Sequence, residues 1–301
     1  MNSISKRLGL NVSGHKDIDF VDINLDRDTR LFLDPCLIEC GEDALSQACN
    51  ATIADYFDKL FTVFESGDES AILTHLSHLG ERNEARLGYG NGRNGKAKTA
   101  YGMKETLSDL NALIQSGIPF TRAIDIPLLM PGFAEDCMSD MLMNILYKHL
   151  SEYTIEQCRK YGFPTMRASK ARYYWNGQEH QWDVYEGESL VVDGEVVLLI
   201  PKRYVCKRFY YTTAHFFLSK IAPMLQLRDK SVVNGKDKKP NKQIVRRNEC
   251  ILHGTLLQAT RAHVKINQRL LVEYHQDIPG NYSGRCLSNE ELDWFVYGNR
   301  H

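Results

Sequence analysis

Residues 171–201, ARYYWNGQEHQWDVYEGESLVVDGEVVLLIP, form the stretch that decides the fold class. Short segments rich in valine, leucine, tyrosine and tryptophan alternate here with two turn dipeptides, Asn176-Gly177 and Asp193-Gly194. These dipeptides favour the positive φ angles that two-residue hairpin turns require, and the flanking residue types are common in strands. The pattern predicts two hairpins of one antiparallel β-meander over about residues 171–205.

Helical patterns dominate the rest of the chain. Apolar residues recur at helical spacing from Glu42 to Phe64, and shorter helices are predicted near 70–79, 104–115 and 209–225. The stretch 244–272 is predicted to be mostly helix. Residues 151–162 are predicted to form another short helix, capped by Ser151 or Thr154. Before the long helix, DIDFVDINL (17–25) is predicted to be a strand with one face in water, and LFLD (31–34) a second strand.

These elements predict an α+β protein with three parts. The N-terminal part is mixed α/β, the middle is the antiparallel meander at about 171–205, and the C-terminal part is helical. The sequence pattern changes near residue 163, which favours two units, 1–162 and 163–301, although one continuous domain fits the pattern as well.

Composition places the chain among globular proteins with a proper core, because 43% of its residues are hydrophobic and 10% are aromatic. No apolar run reaches the roughly 18 residues of a spanning helix, and the first residues lack the apolar segment of a signal peptide. The eight cysteines contain no CxxC pair and are expected to be reduced. We therefore expect a cytoplasmic protein.

Charge is distributed unevenly along the chain. Residues 1–70 contain 14 Asp or Glu against 6 Lys or Arg, whereas residues 228–247 contain 8 Lys or Arg against 2 Asp. The basic segment 229–242 is predicted to be a mobile linker, and basic residues also follow the glycines of the stretch GYGNGRNGKAK (88–98). If the chain binds nucleic acid, the phosphate contacts are predicted at Arg93, Lys96, Lys98, Lys238, Lys239, Lys242, Arg246 and Arg247. Solvated loops are the alternative.

The stretch IDIPLLMPGFAEDCMSD (124–140) is the best candidate for a site. A buried strand is predicted to end at Pro131-Gly132, and a helix then opens with acidic residues. Asp136 and Asp140 share one helical face, a spacing that can hold a divalent cation such as Mg²⁺. The alternative is that these acids complement the helix N-terminus.

A metal-dependent nuclease would use such carboxylates to hold Mg²⁺ against the scissile phosphate, with a lysine that helps to activate water. The E-x-K spacing of PD-(D/E)xK nucleases is missing, because Lys202 lies seven positions after Glu195. The rearranged catalytic set that we predict is Asp136, Asp140, Glu84 and Lys202.

Four segments carry a resemblance: LFLDPCLIE, NEARLGYGNGRNGK, PGFAEDCMSDMLMNIL with SEYTIEQC, and VVLLIPKRYV. Over most of residues 17–206 the chain resembles uncharacterised bacterial proteins often encoded near mobile elements and antiviral defence genes. The resemblance implies a bacterial cytoplasmic protein with a partner protein. Two hypotheses follow: a metal-dependent nuclease that acts on nucleic acid in antiviral defence, or a non-catalytic nucleic-acid-binding or scaffold subunit of a defence complex.

Overall fold

The computed structural model describes residues 2–80, 82–89, 99–167, 170–233 and 236–298. In chain order its α-helices are α1 Ile4–Arg7, α2 Pro35–Glu39, α3 Ala44–Ser66, α4 Glu69–His75, α5 Ala100–Thr106, α6 Leu110–Gln115, α7 Asp125–Leu129, α8 Glu135–Ile145, α9 Tyr147–Tyr161, α10 Thr213–Phe216, α11 Ala222–Arg228, α12 Lys242–His253, α13 Leu256–Ile266, α14 Arg269–Gln276, α15 Ile278–Tyr282 and α16 Asn289–Tyr297. A π-helical segment, Phe217–Ile221, joins α10 to α11. Short 3-10 helices lie at His15–Asp17, Asn83–Ala85 and Lys202–Tyr204.

The strands are short and pair only in an antiparallel manner. They are β1 Phe32–Leu33, β2 Thr165–Arg167, β3 Arg172–Asn176, β4 Gln181–Tyr185, β5 Glu188–Val192, β6 Glu195–Val197, β7 Val205–Cys206, β8 Ser231–Val233 and β9 Lys236–Lys238. They form the sheets β1-β7, β2-β5-β6, β3-β4 and β8-β9. Small antiparallel sheets beside many helices, with a helical C-terminal part, confirm the predicted α+β class.

Helix α3 lies at the centre of the N-terminal part, and its prediction is confirmed to within two residues at each end. The carboxylate of Asp43 accepts the backbone N–H of Ser46 and caps the N-terminus, and Gly67, at φ 70°, ends the helix. Its apolar residues repeat on one face, and that face is buried: Cys49, Ile53, Tyr56, Phe57, Leu60, Phe61 and Phe64.

Both predicted hairpins are present, but they do not form one meander. Asp193 and Gly194 have φ angles of 53° and 82°, as a two-residue turn between β5 and β6 requires. The connection between β3 and β4 is longer, because these strands pair from Asn176 with Gln181 onward. The two-residue turn predicted at Asn176-Gly177 is therefore wrong. The single meander is wrong as well, because β5 pairs with β2 rather than with β4 and the hairpins belong to separate sheets.

The stretch 125–129, predicted to be a strand, is helix α7 instead. A short apolar run fits a buried strand and a buried helix equally well, so its pattern could not distinguish them. The buried carboxylate of Asp125 accepts the backbone N–H groups of Thr121 and Arg122 at 2.9 and 2.8 Å, and it lies 2.6 Å from Nε2 of His275. These contacts fix the turn that leads into α7.

The segment 17–25 is also not a regular strand. It crosses the core in irregular extended form, with isolated bridges from Phe20 to Pro201 and from Asn24 to Ser3. Asp22 was expected on a solvent face but is fully buried. Its carboxylate is stabilised there by the N–H of Ser5 at 2.7 Å and the hydroxyl of Tyr297 at 2.6 Å, which both donate to it. The alternation of acids therefore did not indicate exposure here.

Ser151 and Thr154 lie inside α9, so the prediction that one of them caps a helix is wrong. The hydroxyl of Thr154 donates to the carbonyl of Leu150 at 2.7 Å and accepts the N–H of Leu199 at 3.0 Å. Thr154 thereby links α9 to the chain that follows β6. Within the basic segment 229–242, strands β8 and β9 form a small hairpin.

Buried side chains from both sides of residue 162 contribute to one hydrophobic cluster. Strand β1 of the first half pairs with β7 of the second, and the N–H of Val21 donates to the carbonyl of Ile200 at 2.9 Å. Within the described residues, no helix has the length and apolar character needed to cross a membrane.

Candidate nucleic-acid interface

A cleft of about 490 Å³ lies between the turn at 24–30, the chain at 89, the segment after β7 and helix α16. We call it the basic cleft. Its lining includes four cationic residues and four aromatic ones: Arg27, Arg30, Lys207, Arg208, Phe32, Tyr89, Trp294 and Phe295. One acidic residue, Asp28, lies among them.

Backbone hydrogen bonds hold two distant segments together to form one wall of the basic cleft. The N–H of Thr29 donates to the carbonyl of Arg86 at 2.8 Å, and the N–H of Gly88 donates to the carbonyl of Thr29 at 2.9 Å. This pairing places the turn at 26–30 beside Tyr89. The ring of Tyr89 packs on that of Phe32 with centroids 4.8 Å apart, and Tyr89 is 48% exposed.

Helix α16 forms the opposite wall and presents Trp294, which is 54% exposed. The ammonium of Lys207 lies 6.0 Å from the ring centroid of Trp294 and 4.9 Å from that of Phe295. Ser288 and Glu291 form a capping box at the start of α16. The wall therefore combines a cation with an exposed aromatic face.

Polar contacts fasten α16 to the N-terminal part of the chain. Asp293 accepts the backbone N–H of His15 at 2.9 Å, and its carboxylate lies 2.6 Å from Nδ1 of the same residue. One turn further on, the hydroxyl of Tyr297 donates to the buried carboxylate of Asp22. His15 and Asp22, which lie far from Trp294 in the sequence, therefore fix the position of the helix that carries it.

Asp28, which lines the basic cleft, is influenced electrostatically by Asp136 on α8. Burial raises the pKa of Asp28, the neighbouring charge of Asp136 raises it further, and Arg86 opposes the rise. A Cβ atom added at Gly88 would lie 2.8 Å from Oδ1 of Asp136, and Gly88 has a φ of 128°. Only glycine fits this close approach of the backbone to α8 without strain.

A second cavity, of about 390 Å³, shares Lys207 and Arg208 with the basic cleft. Its floor is Asp34, whose pKa is raised to about 6 mainly by burial. The N–H of Cys36 and the hydroxyl of Tyr282 donate to this carboxylate at 2.9 and 3.1 Å, which limits the rise.

The predicted catalytic residues have different surroundings. Glu84 accepts from Nε of Arg172 at 2.7 Å. The ammonium of Lys202 donates to the carbonyls of His15 and Ile18, each at 2.7 Å, and to Asn289 at 2.9 Å. Neither residue lines the basic cleft.

The two predicted metal ligands follow one another along α8. Asp136 lies in the first turn of the helix, and its charge contributes to the raised pKa of Asp28, whereas Asp140 lies one turn further on. The backbone carbonyl of Asp140 accepts from the side chain of Asn144 at 2.8 Å.

The predicted phosphate contacts fall in two places. Arg93, Lys96 and Lys98 lie outside the described residues; in sequence they follow Tyr89 closely. The others are outside the basic cleft on β9, the chain after it and α12: Lys238, Lys239, Lys242, Arg246 and Arg247. Lys242 donates to the carbonyl of Leu218 at 3.0 Å.

The sequence analysis did not identify Asp28, Arg27 or Arg30. Their mixed charges resemble an ordinary exposed turn, and only the pairing of Thr29 with 86–88 brings them to Tyr89. Aromatic residues next to cations, as in Lys207-Arg208-Phe209, are a weak signal for such a site.

The class that this geometry defines is an α+β protein with a cleft lined by cations, aromatic rings and one carboxylate. The chain belongs to the family DUF8370, a domain of unknown function, whose model matches residues 9–212. No curated protein and no solved structure matches the chain. The match covers one wall of the basic cleft, whereas Trp294 and helices α12 and α13 lie beyond it.

Proposed function

We propose that the protein binds nucleic acid in the basic cleft and that it prefers single strands. The observation that carries the proposal is that four cations and two exposed aromatic rings line one groove: Arg27, Arg30, Lys207, Arg208, Tyr89 and Trp294. Cations along a groove neutralise phosphates, and exposed rings stack on unpaired bases whatever their sequence.

The charges of the basic cleft are available for a ligand. Among the ion pairs between described residues, none involves any of its four cations. Clustered like charges that form no ion pairs repel one another, and a bound polyanion relieves that repulsion. This supports a phosphate ligand over a neutral one.

The test is fluorescence anisotropy with labelled single-stranded DNA, single-stranded RNA and duplex DNA at several salt concentrations. For the double variant Lys207→Ala/Arg208→Ala we expect weaker binding and a salt slope that is smaller by about 1.4, at about 0.7 for each lost contact to a single strand. Trp294→Leu should weaken binding without changing the slope, because it removes stacking and no charge.

The matched control is Arg246→Ala/Arg247→Ala, which removes the same charge from α12, outside the basic cleft. We expect its affinity to stay close to that of the wild type. Equal losses in the two double variants would contradict the basic cleft as the interface and would favour the basic residues of α12. A wild type that binds none of the three probes refutes the proposed function.

A second candidate, metal-dependent phosphodiester cleavage, is favoured by the pair Asp28 and Asp136. Carboxylate oxygens are the ligands that Mg²⁺ prefers. Burial is the main cause of the raised pKa of Asp28, and a cation between Asp28 and Asp136 would relieve the smaller contribution from their repulsion. When bound there, Mg²⁺ would supply charge stabilisation at the phosphate of a strand held by Lys207 and Arg208. In this pair Asp28 takes the place of Asp140, which the sequence analysis predicted as the second metal ligand.

Cleavage is tested with labelled strands in Mg²⁺ or Mn²⁺, alongside thermal unfolding of each variant. Asp28→Asn and Asp136→Asn should abolish cleavage, while Asp140→Asn, one turn further along the same helix, should retain it. If Asp140→Asn is as inactive as Asp136→Asn, the result favours Asp136 and Asp140 as the metal ligands over Asp136 and Asp28. A wild type that binds strands but never cleaves them leaves only the binding function.

We further propose that this activity serves antiviral defence in the bacterial cytoplasm, an idea that depends on the resemblance alone. The protein would be either the nuclease itself or a non-catalytic subunit that delivers nucleic acid to a separate ATPase or nuclease. Plaque assays distinguish the two roles. Protection by the wild type and by Asp136→Asn favours the subunit, protection by the wild type alone favours the nuclease, and no protection by either refutes the defence role.

A further inference from the structure

Helices α12 and α13 bring three potential metal ligands together, far along the chain from the matched family region. Glu249 and His253 are one turn apart on α12, and His263 lies on α13. One ligand atom from each of these side chains lies within 4.8 Å of the others. We propose that Glu249, His253 and His263 bind a divalent first-row transition metal ion, with Zn²⁺ as the best fit.

The carboxylate of Glu249 is the centre of the cluster. Glu249 is only 6% exposed, and both imidazoles approach the same oxygen, Oε2, with Nε2 of His263 at 2.7 Å and Nε2 of His253 at 3.4 Å. Buried carboxylates need compensating partners, and the partners here are two nitrogens that themselves coordinate metals when neutral. The same three atoms can therefore exchange their mutual contacts for contacts to one cation.

Two of the three separations between ligand atoms can be compared with those of a tetrahedral site. Ligand bonds of about 2.0–2.1 Å place neighbouring donor atoms roughly 3.4 Å apart in a tetrahedron. The distance from Oε2 of Glu249 to Nε2 of His253 already has this value. The distance to Nε2 of His263 is shorter by roughly 0.7 Å, so either His263 moves back by that amount or the metal ion binds the other carboxylate oxygen of Glu249. Two imidazoles and one carboxylate suit Zn²⁺ and its neighbours rather than Mg²⁺, which prefers oxygen ligands.

The helix pair provides a preformed frame with an access route. Gly254, at φ 91°, ends α12, and the hydroxyl of Thr255 accepts the N–H of Gln258 at the start of α13, so the connection is short and capped at both ends. The side chain of His253 is 28% exposed, whereas that of His263 is 12% exposed. An ion and one water, as the fourth ligand, can enter on the side of His253.

The test is titration of the metal-free, full-length protein with Co²⁺ and Zn²⁺. We expect the visible absorption of four-coordinate Co²⁺ at one ion per chain, displacement by Zn²⁺, and a rise in Tm with Zn²⁺. The variants His253→Gln and His263→Gln should lose saturable binding and the metal-dependent rise in Tm. His253→Gln alters the more exposed of the two histidines, so its loss of binding can be measured in a folded protein.

The matched control is His180→Gln, because His180 pairs with Asp55 at 2.6 Å on the surface and has no third ligand in the described residues. A Cys286→Ser background removes an exposed thiol that could bind Zn²⁺ on its own. Metal binding that persists in both His253→Gln and His263→Gln, or that is lost in His180→Gln, overturns the assignment. Absence of saturable binding to the wild type also overturns it.

Discussion

Replacing Asp34 by Asn removes a carboxyl group that the fold buries at the end of β1. Its side chain is 1% exposed and caps α2 through the N–H of Cys36, while the hydroxyl of Tyr282 donates to its other oxygen. Burial outweighs these donors and raises the pKa of Asp34 from 3.8 to about 6. The carboxyl therefore ionises at lower pH in the unfolded chain than in the folded one.

The sign of the effect follows from this order of ionisation. Asp34 lowers the free energy of unfolding as pH rises from about 4 to about 6, and its effect is constant above that range. A change in pKa from 3.8 to about 6 corresponds to about 3 kcal/mol in full, of which about 2 kcal/mol fall between pH 4.5 and pH 7. Asn does not titrate, so the variant lacks this decline.

The assay is urea unfolding of the wild type and Asp34→Asn at pH 4.5, 5.5 and 7. Asn also weakens the cap of α2, but that cost is the same at every pH and cancels when the stability difference is compared between pH values. We expect the variant to gain about 2 kcal/mol relative to the wild type between pH 4.5 and pH 7. A constant difference, or one that moves in the opposite direction, would mean that Lys207, Arg208 and the donors outweigh burial.

Three further substitutions test other parts of the fold. Tyr297→Phe should lower the free energy of unfolding by about 1.5–3 kcal/mol, because it removes the hydroxyl that donates to the buried carboxylate of Asp22; a change below about 0.5 kcal/mol would show that this contact is unimportant. Gly88→Ala combines a φ of 128° with a carboxylate oxygen 2.8 Å away, so it should cost about 1–3 kcal/mol in urea unfolding and more than Gly132→Ala, whose surroundings are open. Ser288→Ala should cost about 0.5–2 kcal/mol through loss of the capping box, and an unchanged Tm would contradict that role.

Local chemistry made some elements predictable from the sequence. Helix α3 has a cap residue, a terminal glycine and a continuous apolar face, and the turn at Asp193-Gly194 has residues that tolerate positive φ. The stretch 125–129 offers no such local signal, since its apolar run fits either structure. Its helical structure depends on the contacts of Asp125 with Thr121 and with His275, which lies 150 residues away along the chain.

The candidate site was less predictable than the fold. Asp136 was identified because acids at a helix start stand out, and Lys207 belongs to a visibly basic stretch. Asp28 and Trp294 join them only through the pairing of Thr29 with 86–88 and the docking of α16. Spacing along a chain carries information about one element at a time, whereas this cleft is assembled from four separate segments.

The docking of α16 brings together two walls of the basic cleft that come from different parts of the chain. One wall lies within residues 9–212, which the family model matches, and the other wall, with Trp294, lies on a helix outside that range. The contacts that hold α16 run through Asp293 and Tyr297, whereas the exposed ring of Trp294 is separate from them. The aromatic surface of this wall can therefore be changed at Trp294 while the docking contacts of the helix stay the same.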